Sequence, residues 1–140
     1  MRKILLACVC TLAVACSTAT ERPVTLYQQL GGAEGVDALV YQLLVNIAKD
    51  DRVVARFRGV DIEKFRAGFS LYICSVSDGD CTYNGDSMQV IHAGYQYSDR
   101  EFNAIVDNLM QAMDEQGIAT PVQNALLARL APTYKDVVYQ

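Results

Sequence analysis

Apolar residues recur every three or four positions in four stretches of the chain, at residues 34–49, 61–73, 98–117 and 120–131. This spacing places the apolar side chains of each stretch on one face of a helix. No stretch of convincing length alternates between apolar and polar residues, as the strands of a half-buried sheet do, and we find no internal repeat. The pattern predicts an all-α domain with two long helices in each half.

Polar capping residues mark the starts of three of these helices. Asp61 is the predicted N-cap of the second helix. Ser98 is followed by Glu101 three residues later, which predicts a capping box for the third helix. Thr120 is the predicted N-cap of the fourth helix, with Pro121 at the first helical position, where the missing N–H costs nothing.

Shorter elements connect the long helices. Residues 25–30 are predicted to form a short helix that ends at two glycines, which adopt left-handed conformations easily. A brief turn is expected at residues 53–57, and residues 75–85 form a polar, turn-rich loop. One or two further helical turns are expected at residues 88–92. We expect the last helix to end at Pro132.

The first 15 residues have the composition of an export signal. Arg2 and Lys3 form a basic start, and the apolar run that follows is too short to span a bilayer. The run ends in small and aliphatic residues directly before Cys16, which resembles the lipobox of bacterial lipoproteins. We predict a signal peptide at residues 1–15, and a lipidated Cys16 with a polar tether at residues 16–24. Ordinary secretory cleavage nearby is the alternative.

In both cases we expect the chain to leave the cytoplasm for the periplasm or cell envelope. Of its 12 basic residues two lie in the signal, so 10 remain against 16 acidic residues and the mature net charge is −6. Such a domain, without a basic patch, repels phosphate backbones, which argues against nucleic acid as a partner. We expect membrane association only through the lipid anchor.

The five cysteines divide by position. Cys8 and Cys10 are removed with the signal, and Cys16 would carry lipid. Cys74 and Cys81 remain, and an exported compartment is oxidising, so we predict a disulfide between them. Their spacing fits neither a metal-binding pair nor a redox-active Cys-x-x-Cys motif.

His92 is the only histidine of the chain. Sites that need several imidazoles, such as His-rich zinc sites and two-histidine haem ligation, are therefore excluded. A nucleophilic catalytic triad stays open but would have to use this residue. Met88, Ile91 and His92 lie on one face of the short helix, so from the residues alone a half-buried packing role is the simplest interpretation.

Four segments taken together resemble the group I truncated globins. They are Leu26-Tyr27-Gln28-Gln29-Leu30-Gly31-Gly32, Phe57-Arg58-Gly59-Val60-Asp61, Tyr83-Asn84-Gly85-Asp86-Ser87-Met88 and His92-Ala93-Gly94. The resemblance extends from about Leu26 to Pro132, and His92 stands at the proximal position of the family. It implies a truncated globin domain at residues 25–140, with the family's 2-over-2 helical sandwich.

The resemblance also implies a non-covalently bound b-type haem. His92 would be the proximal ligand of the haem iron, as a neutral imidazole. Phe57 would wedge against the porphyrin, Tyr83 would lie near a propionate, and Met88 would line the proximal side. The next long helix would complete an apolar slot with Phe102, Ile105 and Leu109. Such a slot suits haem because the macrocycle is apolar.

The expected distal wall departs from that of many group I members. The family often places a tyrosine in the second helix and a glutamine in the next long helix, where both donate hydrogen bonds to bound oxygen. The matching positions here are Leu44 and Phe69, with Phe65 beside them. Loss of such a bond costs about 1.5–3 kcal/mol, which is a roughly ten- to hundredfold loss of affinity. Tyr41 and Tyr72 are the alternative donors, each about one helical turn away.

Three functions follow in order of preference. The first is an exported globin that binds oxygen or another diatomic gas, with NO and CO depending less than oxygen on a distal donor. The second is a haem redox enzyme, for NO detoxification or a peroxidase-like activity, or an electron-transfer protein, served by an envelope reductase. The lack of a distal acid–base group counts against peroxidase chemistry. The third is a haem-free lipoprotein that keeps a globin skeleton and binds another protein.

Overall fold

The computed structural model describes residues 23–140. The predicted signal peptide and Cys16 lie outside the described residues, as does the tether up to residue 22. Among the described helices, none has both the length and the apolar character that a membrane span requires.

The described chain is built from seven α-helices and two 3₁₀ turns, and the all-α prediction is confirmed for it. The only β feature in residues 23–140 is an isolated bridge between Tyr97 and Val138. In chain order the elements are α1 Leu26–Gln29, α2 Gly32–Ile47, the 3₁₀ turn Val54–Phe57, α3 Ile62–Val76, α4 Met88–His92, α5 Asp99–Glu115, α6 Thr120–Leu130, the 3₁₀ turn Ala131–Thr133 and α7 Tyr134–Val137.

Most helix starts use the predicted caps. The side chain of Asp61 accepts a hydrogen bond from the backbone N–H of Lys64 (3.0 Å) at the start of α3. Ser98 and Glu101 form the predicted capping box of α5. The prediction for α6 is wrong by one residue, because Ala119 is the N-cap and Thr120 is already helical. The proline is still in the first turn, where an α-helix forms no hydrogen bond to the missing N–H.

Two further helix boundaries differ from the prediction. Helix α2 begins at Gly32 rather than at residue 34, because Gly31 (φ 90°) reverses the chain and its carbonyl accepts from the N–H of Gly35 (3.2 Å). After α6 the chain does not leave the helical conformation at Pro132. Pro132 is the second residue of a 3₁₀ turn, where its fixed φ is compatible with the turn, and α7 follows directly.

Helix α2 is the centre of the core and packs against both α3 and α5. Its apolar stripe is buried, as the spacing predicts, and burial of such side chains is the main favourable term in folding. The buried cluster comprises Leu26, Leu30, Val36, Leu39, Val40, Leu43, Ile47, Val53, Ile73, Ala104, Leu109, Ala112, Met113 and Leu126.

Candidate functional site

Helix α4 presents His92 at its last residue. The hydroxyl of Ser87 accepts a hydrogen bond from the N–H of Val90 (3.3 Å) and so caps the start of this short helix. The imidazole is half-buried, and its Nδ1 lies 2.6 Å from the carbonyl oxygen of Met88. Because a carbonyl oxygen can only accept, Nδ1 carries the proton, and Nε2 of the neutral ring keeps its lone pair. That tautomer is the one a metal ligand needs.

His92 has no partners with which to hold a free metal ion. Residues 23–140 contain no group of three or more His, Cys, Asp or Glu side chains in metal-binding proximity. A single imidazole nitrogen is nevertheless sufficient as an axial ligand when a macrocycle supplies the other donors. The donor set therefore fits a haem iron better than a bare ion.

A continuous row of aromatic side chains runs along α3, and we call it the aromatic row. Its members are half-buried. Successive ring centroids lie 5.3, 5.6, 6.3 and 5.2 Å apart, within the range of favourable aromatic pairs. In order along the row they are Phe57, Phe65, Phe69, Tyr72 and Tyr83. The row brings together four of the predicted site residues and adds Tyr72.

Leu44 lies beside the Phe57 end of this row. Both residues line an apolar cleft of about 200 Å³ between the end of α2, the first 3₁₀ turn and the start of α3. Sequence reasoning did not name the other lining residues, although the spacing of Leu44, Ile47 and the C-cap Ala48 places them on one face at the end of α2. The full lining is Leu44, Ile47, Ala48, Val54, Phe57, Arg58 and Ile62.

The distal positions carry no polar side-chain atom, since they are Leu44, Phe65 and Phe69. Of the two alternative donors, Tyr41 is 53% exposed and its ring packs under the guanidinium of Arg66, 5.1 Å from ring centroid to Cζ, so it lies at the surface. Tyr72 packs between Phe69 and the loop tyrosine of the aromatic row. Burial raises the pKa of Tyr72, which keeps its hydroxyl protonated.

The remaining predicted lining residues lie on α5 and at the start of α4, in different surroundings. Phe102 is half-buried and packs edge-on against Tyr134, with ring centroids 5.1 Å apart. Ile105 is half-buried against the core, whereas Leu109 is a member of the buried core cluster itself. Met88 is half-buried at the start of α4, four residues before the histidine.

The two sides of the site are joined at both ends of α4. Before α4, Tyr83 contacts Tyr72 of α3. After α4, the ring of Tyr97 meets the ring of His92, and the side chain of Arg56 crosses from the first 3₁₀ turn to lie over Tyr97. Sequence reasoning missed Arg56 and Tyr97, because no local pattern pairs residues so far apart along the chain.

The loop before Tyr83 is fixed to the end of α3. The sulfur atoms of Cys74 and Cys81 lie within bonding distance of each other, with Cα atoms 6.3 Å apart. Gly79, inside this loop, donates its N–H to the carbonyl of Cys74 (3.0 Å). A Cβ at Gly79 would lie 2.5 Å from the sulfur of Cys74, so the tight loop has no space for a larger residue.

A larger cleft lies on another surface, between the end of α2 and α5. It has a volume of about 440 Å³, and all of its lining residues are polar or charged. Its groups bind one another: the guanidinium of Arg52 pairs with Asp50 and Asp107, and Asn108 donates to Asp50 (2.7 Å). We interpret it as a structural network that holds α2 to α5.

Comparison with known proteins identifies the family. Residues 25–139 match the family described as bacterial-like globin. The group 1 truncated hemoglobin of a Nostoc species is 30% identical over 106 residues, which cover 76% of this chain and 90% of that protein. This chain is a group I truncated globin. Membership implies haem as the cofactor, and a single imidazole donor together with the apolar surface of the aromatic row fits that group.

Solved structures confirm the fold of this truncated globin. The truncated hemoglobin of Tetrahymena pyriformis in its Fe(III) form superposes with a TM-score of 0.80 at 26% identity, covering 83% of this chain and 99% of that one. The 2/2 hemoglobin of a Synechococcus species, solved with covalently attached haem, gives 0.77 at 24% identity, covering 81% and 98%. The 2-over-2 helical sandwich is therefore confirmed.

Proposed function

We propose that this globin holds a b-type haem non-covalently, with Nε2 of His92 as the proximal iron ligand, and binds a diatomic gas on the opposite side. The observation that carries the proposal is the 2.6 Å contact between Nδ1 of His92 and the Met88 carbonyl. It leaves Nε2 as the acceptor nitrogen of the only histidine, and a carbonyl partner also raises the basicity of the ring.

The haem iron supplies the gas-binding chemistry, and the chain supplies the site around it. The aromatic row and Leu44 offer apolar surface against which a porphyrin can bury its faces. His92 fixes the side on which the iron is coordinated. Tyr83, whose hydroxyl donates to the carbonyl of Asp86 (3.1 Å), holds the loop that leads into α4.

We further propose that the apolar distal wall favours NO and CO over oxygen. Bound oxygen carries partial negative charge and gains stability from a hydrogen-bond donor, whereas the other two gases depend less on one. Leu44, Phe65 and Phe69 offer no donor. The same three residues offer no acid–base group for peroxidase chemistry, so a peroxidase function is disfavoured.

Export, lipid anchoring at Cys16 and a disulfide between Cys74 and Cys81 belong to the same proposal. The apolar run at the start of the chain, and the lipobox-like residues that end it before Cys16, support export. The Cα separation of 6.3 Å between the two cysteines supports the disulfide. A free-thiol titration of the unreduced exported protein tests the pairing: two reactive thiols would contradict it. Mass spectrometry of the mature N-terminus tests the lipid.

Non-covalent haem attachment has support in the same residues. The chain has no Cys-x-x-Cys-His motif, and its one imidazole is assigned to the iron. We expect acidified organic solvent to extract all of the haem from the reconstituted protein. Haem that stays with the polypeptide would show a covalent link.

The test of the whole proposal is a titration of the exported domain with hemin. We expect saturation at one hemin per chain, and a His92→Ala variant that folds but loses the spectrum of histidine-ligated haem. Failure of the native chain to bind hemin would overturn the proposal and favour a haem-free role. An unchanged spectrum in His92→Ala would show that another residue is the ligand.

A further inference from the structure

The side chain of half-buried Arg56 donates hydrogen bonds to two segments that are distant along the chain. Its Nε and Nη2 donate to the two carboxylate oxygens of Glu101 (2.5 and 3.1 Å), and its Nη1 donates to the carbonyl of Tyr95 (3.1 Å). A bidentate pair of this kind fixes the plane of the guanidinium as well as its position. Arg56 therefore ties the segment that carries Phe57 to the segment that follows His92.

The fixed guanidinium lies over an aromatic ring that in turn touches the histidine. The Cζ of Arg56 is 4.8 Å from the ring centroid of Tyr97, a cation–π distance. The Tyr97 ring meets the imidazole of His92 at a centroid distance of 5.5 Å and an interplanar angle of 72°. Edge-to-face contact is a preferred arrangement of two aromatic rings, so the position of Tyr97 favours one orientation of His92.

The backbone holds Tyr97 from the other side. Its carbonyl accepts a hydrogen bond from the N–H of Tyr139 (2.9 Å), and the N–H of Gln96 donates to the carbonyl of Gln140 (3.2 Å). Ser98, the next residue, donates both its N–H and its hydroxyl to Glu101 (2.9 and 2.7 Å). Tyr97 is thus held by its backbone and by its ring, which makes it a rigid surface for the imidazole.

We propose that Arg56, Tyr97 and Glu101 form a proximal clamp that sets the rotation of the His92 ring. The hydrogen bond to Met88 restrains one nitrogen of the ring, which can otherwise turn only about its Cβ–Cγ bond. The contact with Tyr97 supplies the second point that defines the ring plane. These are positioning residues, because they act through His92; the inference rests on the proposed role of that histidine as iron ligand.

Ring orientation matters because it decides how closely an axial imidazole can approach the iron. A ring plane that eclipses the pyrrole nitrogens meets more repulsion than one that lies between them. With haem bound through His92, the ring orientation would change the strength of the bond between Nε2 and the iron, and the ease of haem loss. We infer that the proximal clamp tunes both quantities in this chain.

Four substitutions test the clamp. Tyr97→Leu removes the ring at similar volume, and Arg56→Met removes the guanidinium while keeping a long side chain. Tyr97→Phe keeps the ring and is the conservative rescue. Arg129→Met is the matched control, because it breaks an exposed arginine–aspartate pair in which the two side chains are 50% and 55% exposed.

The first readout needs no haem. In the haem-free protein we expect the ring protons of His92 to carry a ring-current shift from Tyr97, measured by NMR. Tyr97→Leu should abolish the shift, and Tyr97→Phe and Arg129→Met should keep it. An identical His92 spectrum in the native chain and in Tyr97→Leu would overturn the clamp, whatever the chain does with haem.

The second readout uses hemin-loaded protein. We expect Tyr97→Leu and Arg56→Met to lose hemin to an excess of scavenger apoprotein about three- to tenfold faster than the native chain. The iron–histidine stretching band of the ferrous protein should shift or broaden in both, and Tyr97→Phe and Arg129→Met should match the native band. Native loss rates and bands in Tyr97→Leu and Arg56→Met would overturn the clamp.

The outcomes separate this inference from the proposed function. If the native chain binds hemin through His92 and the clamp variants behave as native, only the clamp is wrong. If the native chain binds no hemin, the proposed function is wrong, and the NMR readout still decides whether Tyr97 orients the ring. Arg56→Met serves as the test variant should Tyr97→Leu fail to fold, as judged by its thermal unfolding.

Discussion

The two sides of the candidate site are built from different chemistry. The distal side consists of carbon surfaces, namely Leu44, Phe65 and Phe69, which long helices place by their own periodicity. The proximal side is a five-residue helix whose one functional nitrogen is set by polar contacts, starting with the 2.6 Å contact to Met88. Apolar packing supplies binding energy without direction, whereas hydrogen bonds and ion pairs supply direction.

The comparison of the distal and proximal sides shows which of them carries directional contacts. The distal wall offers no polar group to a bound gas, so a preference among gases there depends on how much each gas loses without a hydrogen-bond donor. On the proximal side, Met88 and Tyr97 contact the imidazole of His92, and Arg56 contacts Tyr97. We therefore expect changes on the proximal side to alter haem ligation, and changes on the distal side to alter only gas affinity.

The largest effect is expected from removal of the proximal nitrogen. His92→Ala should weaken hemin retention by more than the about 10- to 100-fold that loss of an outer-shell partner costs. The measurement is the rate of hemin transfer to scavenger apoprotein. Added imidazole should restore a histidine-like spectrum in this variant, and no restoration would argue against a vacated axial position.

The second prediction adds a hydrogen-bond donor to the distal wall, so that both sides of the site carry polar groups. Leu44→Tyr introduces a hydroxyl donor, and we expect oxygen to dissociate roughly ten- to hundredfold more slowly while CO binding changes little. Leu44→Phe is the control that adds the ring without the hydroxyl. Equal oxygen dissociation rates in the two variants would show that a donor at this position does not reach the gas.

Removal of the cystine in the loop between α3 and α4 is expected to have a smaller effect, on the stability of the fold. The proposed disulfide between Cys74 and Cys81 closes a loop of about eight residues, and its loss should lower the free energy of unfolding by about 2.5 kcal/mol on the loop-entropy model. The double variant Cys74→Ser/Cys81→Ser and the native chain are compared by urea unfolding without reductant. Dithiothreitol should destabilise the native chain and leave the double variant unchanged.

The smallest effect concerns the loss of folding stability at acid pH. Hydrogen bonds from Arg56 lower the pKa of Glu101 from 4.5 to about 2. A depressed folded-state pKa adds stability above the unfolded value, and this stability is lost as pH falls from about 4.5 towards 2. Glu101→Gln should flatten the fall of stability in that range, measured by denaturant midpoints at several pH values. A native-like slope in the variant would contradict this contribution.

Local signals predicted most of the fold. The caps at Asp61 and Ser98 and the apolar stripe of α2 depend on residues close in sequence, so the pattern alone reveals them. The α6 cap was placed one residue late, since Thr120 and Pro121 both favour a helix start. Helix α7 was missed because a proline in a 3₁₀ turn has the same sequence signal as a helix end.

The residues of the candidate site likewise divide into those that the sequence could predict and those that it could not. The resemblance to the family assigns His92 to the proximal position, Phe57 to the porphyrin face and Leu44 to the distal wall. The structure brings Phe57 and Leu44 to one cleft. The contacts of Arg56 could not be predicted, because Glu101 is 45 residues away along the chain and only tertiary packing brings them together.

The most direct test is the optical spectrum of the exported domain reconstituted with haem, ferric and then dithionite-reduced, with and without CO. A His92-ligated haem beside an apolar distal wall predicts a five-coordinate ferrous spectrum that converts fully on addition of CO. A six-coordinate ferrous spectrum would contradict the open distal side, because a side chain of the protein would then occupy the sixth position. No uptake of haem would contradict the role of His92 altogether.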